Sequence, residues 1–329
     1  MTAISNPQRV IGLGVAGLGR AFTLMLPTFA ADSRVRLVAA TDPRQEACAC
    51  FRQDFDAATY SSLEALCADP HVEVVYLATP HQHHAEHVRI AAAHGKHVLV
   101  EKPMAITLDQ CRSMIDAARA ANVHLVVGHS HSFDAPILRA RAIIASGALG
   151  AVRMMNAQYY TGFMYRPRRP EELDTTQGGG VLFSQAAHQI DIVRLLAGGI
   201  AASVRAHSGA WHPVRAAPGG APAEGAYSAL IGFEGGAFAS VSYNGYGYYD
   251  SDELCEATSE LGMPKDLSCY QSGSARLGSA RDAAAEARAK AARNYGGEHY
   301  TPAAGVAPHH QHFGHLLRSE ERRVGKECA

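Results

Sequence analysis

A lysine at the end of an apolar run is the residue that most needs a chemical reason. His97-Val98-Leu99-Val100-Glu101-Lys102-Pro103 reads as a buried strand that delivers a cation at its carboxyl end, where packing has no use for one. A second candidate stands in the amphipathic stretch from Val181 to Ala197, where His188 can exchange a proton near neutral pH. Near the N-terminus, Val10 to Ala16 runs into Gly17-Leu18-Gly19-Arg20-Ala21-Phe22, a spacing that suits a turn cradling a dinucleotide pyrophosphate. Gly17 permits the tight turn, and Gly19 lets backbone amides approach the phosphates at the positive end of a helix. The overlapping Gly12-Leu13-Gly14-Val15-Ala16-Gly17 satisfies the same spacing but leaves almost no strand before it. Asp42 closes the second expected strand, where a carboxylate can accept from both ribose hydroxyls, which favours NAD. Arg44 keeps NADP open, because it can pair with a 2′-phosphate. Asp42 also has a purely local reading, as a turn residue before Pro43.

These residues need a scaffold, and the first half of the chain supplies one by alternating strand and helix signals. Strands are expected at Val10 to Ala16, Val35 to Thr41, Val72 to Ala78, His97 to Glu101 and Val123 to Gly128. Helices are expected at Gly19 to Ala31, Gln45 to Asp54, Leu63 to Asp69, His84 to His94, and Leu108 to Ala121 capped by Thr107. That order predicts an N-terminal Rossmann domain over residues 1–128, a doubly wound parallel sheet. Pro27 conflicts with the first helix and predicts that it kinks or ends early.

The texture then changes, and a C-terminal α+β domain with an open, mostly antiparallel sheet is expected over residues 129–318. Its signals are a helix from Ala135 to Ala145, a strand from Val152 to Tyr160, the helix from Val181, and strands at Ser203 to Ala210, Ala226 to Phe233 and Ala237 to Tyr243. Glu234-Gly235-Gly236 reads as a hairpin turn. The polar, Ala-rich stretch from Gly262 to Gly297 predicts only an exposed helix, Ala280 to Asn294. From Ser319 onward the sequence looks foreign, resembling translated sequencing-adapter read-through, and residues 319–329 are set aside; the other reading is a natural charged, solvated tail. On that reading a native C-terminal segment is missing.

Composition narrows the classes. With 329 residues, 47% hydrophobic and 19% charged, the chain can bury two cores. A net charge of -1 offers no electrostatic footprint for nucleic acid or an anionic membrane, so a small-molecule partner is expected. No apolar run is long enough to span a bilayer, and Met1 to Arg9 lacks the pattern of a signal peptide, so a cytoplasmic protein is expected. The seven cysteines lack CxxC spacing and predict free thiols. Of the eighteen histidines, some cluster at His81-Gln82-His83-His84, His129-Ser130-His131 and His309-His310-Gln311-His312 with His315, but no Cys or carboxylate joins them at a ligand spacing. No metal site is expected.

Taken in order, the motifs resemble the Gfo/Idh/MocA family of glucose-fructose oxidoreductase, inositol dehydrogenase and rhizopine-catabolism proteins. The carriers are the Gly17/Gly19 turn, Ala78-Thr79-Pro80 followed by His84, Glu101-Lys102-Pro103, Ser146-Gly147 through Gly150, and Gly178-Gly179-Gly180 leading to His188 and Asp191. The resemblance covers Val10 to Tyr243. It implies an NAD(P)-dependent oxidoreductase in which Lys102 lies beside the nicotinamide and the substrate hydroxyl, His188 serves as acid or base, and Thr79, Pro80, His84 and Glu101 border the cofactor. Such proteins usually carry Asp four residues before that histidine; here Ser184 stands there, at a spacing that puts it on the same helical face.

Tyr165-Arg166-Pro167-Arg168-Arg169-Pro170, with Gly209-Ala210-Trp211 and Glu224-Gly225-Ala226-Tyr227, is similar to a smaller branch that includes cis-dihydrodiol dehydrogenases of phthalate and chlorobenzoate breakdown. That implies an acidic substrate, with Tyr165, Arg166, Arg168 and Arg169 offering forks to carboxylates and His129, His131 and Ser184 as further substrate contacts. The same loop also reads as an ordinary solvated basic segment. The implied reaction takes hydride from a ring carbon bearing a hydroxyl while Lys102, relayed by His188, removes the hydroxyl proton, and the ketone becomes a catechol. Sugar or inositol oxidation and NADP-linked oxidation of a semialdehyde acid are the neighbouring alternatives. A non-catalytic NAD-binding sensor is the alternative of another class. Tyr243, Tyr246, Tyr248 and Tyr249 on the open sheet suggest an apolar face that pairs subunits as a homodimer or homotetramer.

Overall fold

The computed structural model describes residues 9–211, 223–247, 249–267, 283–301 and 307–320. The expectations for Met1 to Gln8, Tyr248, Ala280 to Arg281 and Asp282, and residues 321–329 therefore lie outside the described residues. The chain divides into two compact units: residues 1–128 with 287–304, and residues 129–286 with 305–329.

Six parallel strands form the sheet of the first unit, in the order β3-β2-β1-β4-β5-β6. They are β1 (Ile11–Ala16), β2 (Val35–Thr41), β3 (Ala58–Thr59), β4 (Val74–Leu77), β5 (His97–Glu101) and β6 (Leu125–Gly128). The helices between them are α1 (Arg20–Ala31), α2 (Gln45–Phe55), α3 (Leu63–Ala68), α4 (His84–Ala93) and α5 (Leu108–Ala120). Successive strand residues feed two separate cores: Leu13, Val15 and Tyr76 pack in one, with Ala16, Val75 and Leu77 in the other. Burial of both faces is what the nearly continuous apolar runs of these strands require. Strand order reverses between β1 and β4, which makes their carboxyl ends the crevice where this topology binds ligands.

Two local expectations are corrected, and one strand is added. Helix α1 does not end early but continues through Pro27 to Ala31; the proline is exposed, where water can reach the Thr23 carbonyl that loses its helical donor. The helix expected from Val181 begins instead with a π-helical turn, Leu182–Ala186, before α7 (Ala187–Ala197). Short β3 carries no sequence signal of its own and exists by pairing with β2.

In the second unit the sheet order is β11-β7-β10-β9-β8. It comprises β7 (Val152–Tyr160), β8 (Ala201–Gly209), β9 (Ala226–Phe233), β10 (Phe238–Asn244) and β11 (His315–Glu320), antiparallel except where β7 meets β10. Strand β11 takes in Ser319 and Glu320. The turn at Glu234 to Gly236 closes the β9–β10 hairpin, with Gly236 at φ +81 and Phe233 N–H donating to Ala237 O at 2.9 Å. One face carries Met155, Tyr159, Ile231, Val241 and Tyr243 into a core shared with α7 and α6 (Ala135–Ala145). The other face exposes Leu230, Phe238 and Leu317 at 52%, 42% and 67%. Tyr243 and Tyr246 are buried, so the aromatic cluster expected on the open face is not there; only Tyr249 of the described members is exposed. Helix α8 (Ala283–Ala292) is the Ala-rich helix foreseen near the C-terminal end.

Candidate active site

The glycine turn expected to hold the cofactor begins at Gly17, directly after β1. Gly12 and Gly14 lie within the strand and serve packing, since a Cβ on Gly14 would stand 2.8 Å from Leu66 Cδ2. Gly17 has φ +93, and a Cβ there would meet Ala78 O at 2.7 Å, so only glycine fits between the ends of β1 and β4. Gly19 is the opposite case: a Cβ would meet nothing of the protein within 4 Å. It caps α1 in extended conformation with no side-chain cap bond, and the first turn holds no acid, so the amides of a 12-residue helix remain directed at an incoming anion. Exposed Arg20 opens the helix. The closed approach at Gly17 and the open one at Gly19 fit a pyrophosphate.

Asp42 and Arg44 form a bonded pair beside this turn. The Leu18 amide donates to Asp42 Oδ2 at 2.7 Å, and Arg44 Nε donates to Asp42 Oδ1 at 3.1 Å. Their side chains are 7% and 23% exposed, so the carboxylate expected to await a ribose is already engaged.

On the far side of the crevice, His84 joins the loops after β4 and β5. Its Nε2 lies 3.0 Å from Thr79 O and its Nδ1 3.1 Å from Pro103 O, while Thr79 Oγ1 meets His87 Nδ1 at 2.9 Å. Burial drives the His84 pKa down to about 4, against the pull of those carbonyls. Pro80 leads into the turn at His81–His83. Tyr76 donates its hydroxyl to Glu101 Oε1 at 2.5 Å from a fully buried ring, and the Lys102–Pro103 peptide bond is cis. Lys102 is thus flanked by a carboxylate fixed from beneath and a carbonyl fixed by His84.

In the second unit His188 is 6% exposed on the first turn of α7. The ring of His131 meets it edge-on, centroids 4.6 Å apart at 81°, and Phe313 packs against both rings at 4.7 and 4.9 Å. His131 Nδ1 lies 2.8 Å from the buried Asp134 carboxylate. Helix α7 is pinned to the sheet by Gln189, which accepts from Tyr227 OH at 2.5 Å and donates to Ser242 O at 3.3 Å. Burial pushes the Asp191 carboxyl up, but hydrogen bonds from Ser132 and Arg194 and the nearby His129 outweigh it and hold the pKa low. Ser184 lies in the π turn and donates to Gly180 O at 2.5 Å, so the simple four-residue stripe with His188 does not apply. The turn before it is held by buried Glu224, which accepts from the Leu182 amide at 3.3 Å and leaves no room for a Cβ on Gly180.

The basic loop is tied to acids of its own unit. Arg166 donates to Glu260 at 3.3 Å, Arg169 pairs with Glu171 at 3.1 Å, and Arg168 lies over the Phe163 ring at 3.7 Å while donating to the Phe163 carbonyl. Tyr165 is buried. A cavity of about 540 Å³ in the same unit is walled by Ile137, Gln189, Ile192, His312 and Phe313. Among the described residues no three metal-ligating side chains converge. Asp134, Glu224 and Phe313 carry no site signal in the sequence: an Asp before a helix and a Glu before a strand are common, and what distinguishes them is the local bond of Asp134 to His131 and the long-range contacts of Glu224 and Phe313.

A parallel sheet with a glycine turn at its strand-order reversal and an uncapped helix behind it defines an NAD-binding Rossmann-type oxidoreductase. Residues 11–129 match the model of the oxidoreductase family with an NAD-binding Rossmann fold, and residues 137–263 match the GFO/IDH/MocA C-terminal domain. The chain belongs to the Gfo/Idh/MocA family. It is 49% identical over 313 residues to 1-carboxy-3-chloro-3,4-dihydroxycyclohexa-1,5-diene dehydrogenase of Comamonas testosteroni, covering 94% of this chain and 77% of that one. Over 179 residues it is 31% identical to trans-1,2-dihydrobenzene-1,2-diol dehydrogenase of Macaca fascicularis, 54% of this chain and 52% of that protein. A crystal structure from Bordetella bronchiseptica RB50, of a protein named only as a dehydrogenase, superposes with a TM-score of 0.86 at 36% identity, covering 95% and 79% of the two chains.

Proposed function

We propose that this oxidoreductase oxidises a cis-dihydrodiol of an aromatic carboxylate to a catechol, with NAD as hydride acceptor. The observation that carries the substrate class is the 49% identity, over nearly the whole chain, to a carboxy-dihydroxycyclohexadiene dehydrogenase. When bound, NAD supplies the electrophile that takes hydride from the carbinol carbon. Lys102 accepts the hydroxyl proton, and its backbone neighbours are set by the His84 contact to Pro103 O. His188 is the second proton carrier, oriented through α7 by Gln189 and Tyr227. The ketone left on the ring tautomerises to the catechol, the C–H proton of the adjacent carbinol carbon leaving to solvent and the ketone oxygen taking one up, and the aromaticity gained drives the oxidation forward.

Recognition of the substrate carboxylate is assigned to the arginine loop. Arg166 is the most exposed of its three arginines, at 48%, so a substrate carboxylate can exchange with Glu260 at that fork. The exposed Leu230, Phe238 and Leu317 support pairing of two subunits through the open sheet face, a homodimer or a dimer of dimers. Among the described residues no helix is long and apolar enough to cross a membrane, and the cytoplasm is the assigned site of action. The test is reduction of NAD and NADP by the purified full chain against cis-dihydrodiol carboxylates, polyols and aldoses. Turnover confined to polyols or aldoses would replace the substrate class.

A further inference from the structure

A segment from far down the chain is built into the cofactor turn. Residues 293–300 belong to the first unit, and Tyr295, 1% exposed, fills its core edge-on to Phe22 and Phe51, at 5.3 Å and 84° and at 6.4 Å and 77°. Its hydroxyl donates to Asp54 at 2.5 Å and its amide to Thr23 Oγ1 at 3.2 Å. Its carbonyl accepts from Arg44 Nη1 at 3.0 Å. Arg44 Nη2 donates to Leu18 O at 2.8 Å and to Asp42 Oδ2 at 3.3 Å. With Nε on Asp42 Oδ1 as well, the guanidinium links the glycine turn, the strand-end carboxylate and this strap.

We infer that the strap at residues 293–300 determines cofactor specificity, with the Tyr295 carbonyl holding Arg44 on Asp42 so that the site takes NAD in preference to NADP. A 2′-phosphate is a dianion that needs a guanidinium with a fork of open donors, whereas Arg44 commits four of its five N–H donors to two carbonyls and a carboxylate, leaving a single Nη1 hydrogen. The Asp42 charge lies beneath it and repels the phosphate. A ribose diol is uncharged, both donates and accepts, and can share bonds with the ion-paired Asp42 and Arg44 without that repulsion. Released from the strap, Arg44 could turn to the phosphate. The inference rests on the NAD-dehydrogenase reading for the class of cofactor alone.

Gly296 offers the way to test it. It has φ +70 and packs so closely on α2 that a Cβ would stand 2.9 Å from Ala47 Cα, so Gly296→Val lifts the strap without touching the glycine turn. Dissociation constants of NAD and NADP are measured by calorimetry on the full chain, for the wild type, Gly296→Val, and Gly296→Val with Arg44→Ala. The expected result is a shift of the NADP to NAD affinity ratio toward NADP by about tenfold in Gly296→Val, abolished when Arg44 is also removed. A ratio that does not move, or that moves equally without Arg44, overturns the inference. Should Gly296→Val fail to fold, Thr23→Val with Tyr295→Phe, which removes the strap's two side-chain anchors at constant volume, is read the same way. A wild type that binds neither nucleotide would refute the cofactor reading itself, a result distinct from an unmoved ratio.

Discussion

His131 stands with its ring edge-on to that of His188, 4.6 Å between centroids, and its own Nδ1 is 2.8 Å from the Asp134 carboxylate. A carboxylate therefore reaches the neighbourhood of His188 through a second histidine, in a chain where Ser184, at the position for which the family resemblance implies Asp, turns instead to the Gly180 carbonyl. Asp134 orients the His131 ring, and His131 with Phe313 orients His188. Asp134→Asn is expected to lower kcat about tenfold, a barrier increase of roughly 1.4 kcal/mol, with the affinity for NAD unchanged. The pH profile of kcat should move with it, and Asp134→Glu should recover part of the loss. An unaltered profile alongside lost stability would make Asp134 a packing residue only.

Gly17→Ala should damage both stability and cofactor binding. The backbone at φ +93 costs an ordinary residue about 1–3 kcal/mol, and the Cβ would press on Ala78 O at 2.7 Å. Thermal denaturation should show the destabilisation, and calorimetry a loss of NAD affinity of at least about tenfold. Gly19→Ala meets no protein atom within 4 Å and should leave stability nearly intact while weakening NAD binding.

Stability should fall as the solution is acidified through the window set by His84. Burial holds its pKa in the folded protein at about 4, below the ordinary imidazole value of 6.5. The unfolded chain takes up the proton first as pH drops below 6.5, so this residue's stabilisation is complete above that pH and is lost progressively toward pH 4. The full excursion is on the order of 3 kcal/mol. Melting temperatures of the wild type and His84→Gln between pH 7 and 5 check this, the variant showing the shallower decline.

Arg166→Ala should raise KM for an acidic dihydrodiol by about tenfold while changing kcat little, because it removes binding shared by the ground and transition states. A neutral dihydrodiol should be oxidised equally well by both proteins. The comparison of the two substrates separates carboxylate recognition from a general disturbance of the loop held at Glu260.

The N-terminal fold was legible because its signals are local: strands buried on both faces are continuous apolar runs, and Gly17, Gly19 and Asp42 follow one another at fixed places along β1 and β2. What escaped was long-range. Tyr295 lies in a polar, Ala-rich stretch with no periodicity of its own, and its role comes from Phe22, Phe51 and Arg44, all more than 200 residues away, as is the 251-residue separation of Arg44 from Tyr295. The π turn before α7 was hidden because an inserted residue leaves the apolar stripe of Val181 to Ala197 nearly unchanged. The exposed tyrosine face failed for a related reason: strand alternation puts Tyr243 inward, and Tyr246 follows the strand into the same core. The arginine loop displayed its cations in sequence, but Glu260, which answers Arg166, lies 94 residues on.

Lys102 is the proposed base, and a single measurement bears on it. Pre-steady-state reduction of NAD by a cis-dihydrodiol carboxylate is followed in the wild type and in Lys102→Ala, with NAD affinity determined on the same samples. The expected result is a fall in the hydride-transfer rate of about 10²- to 10⁴-fold with NAD affinity preserved. Wild-type transfer in Lys102→Ala, with NAD still bound, would contradict the assignment of Lys102 as the base.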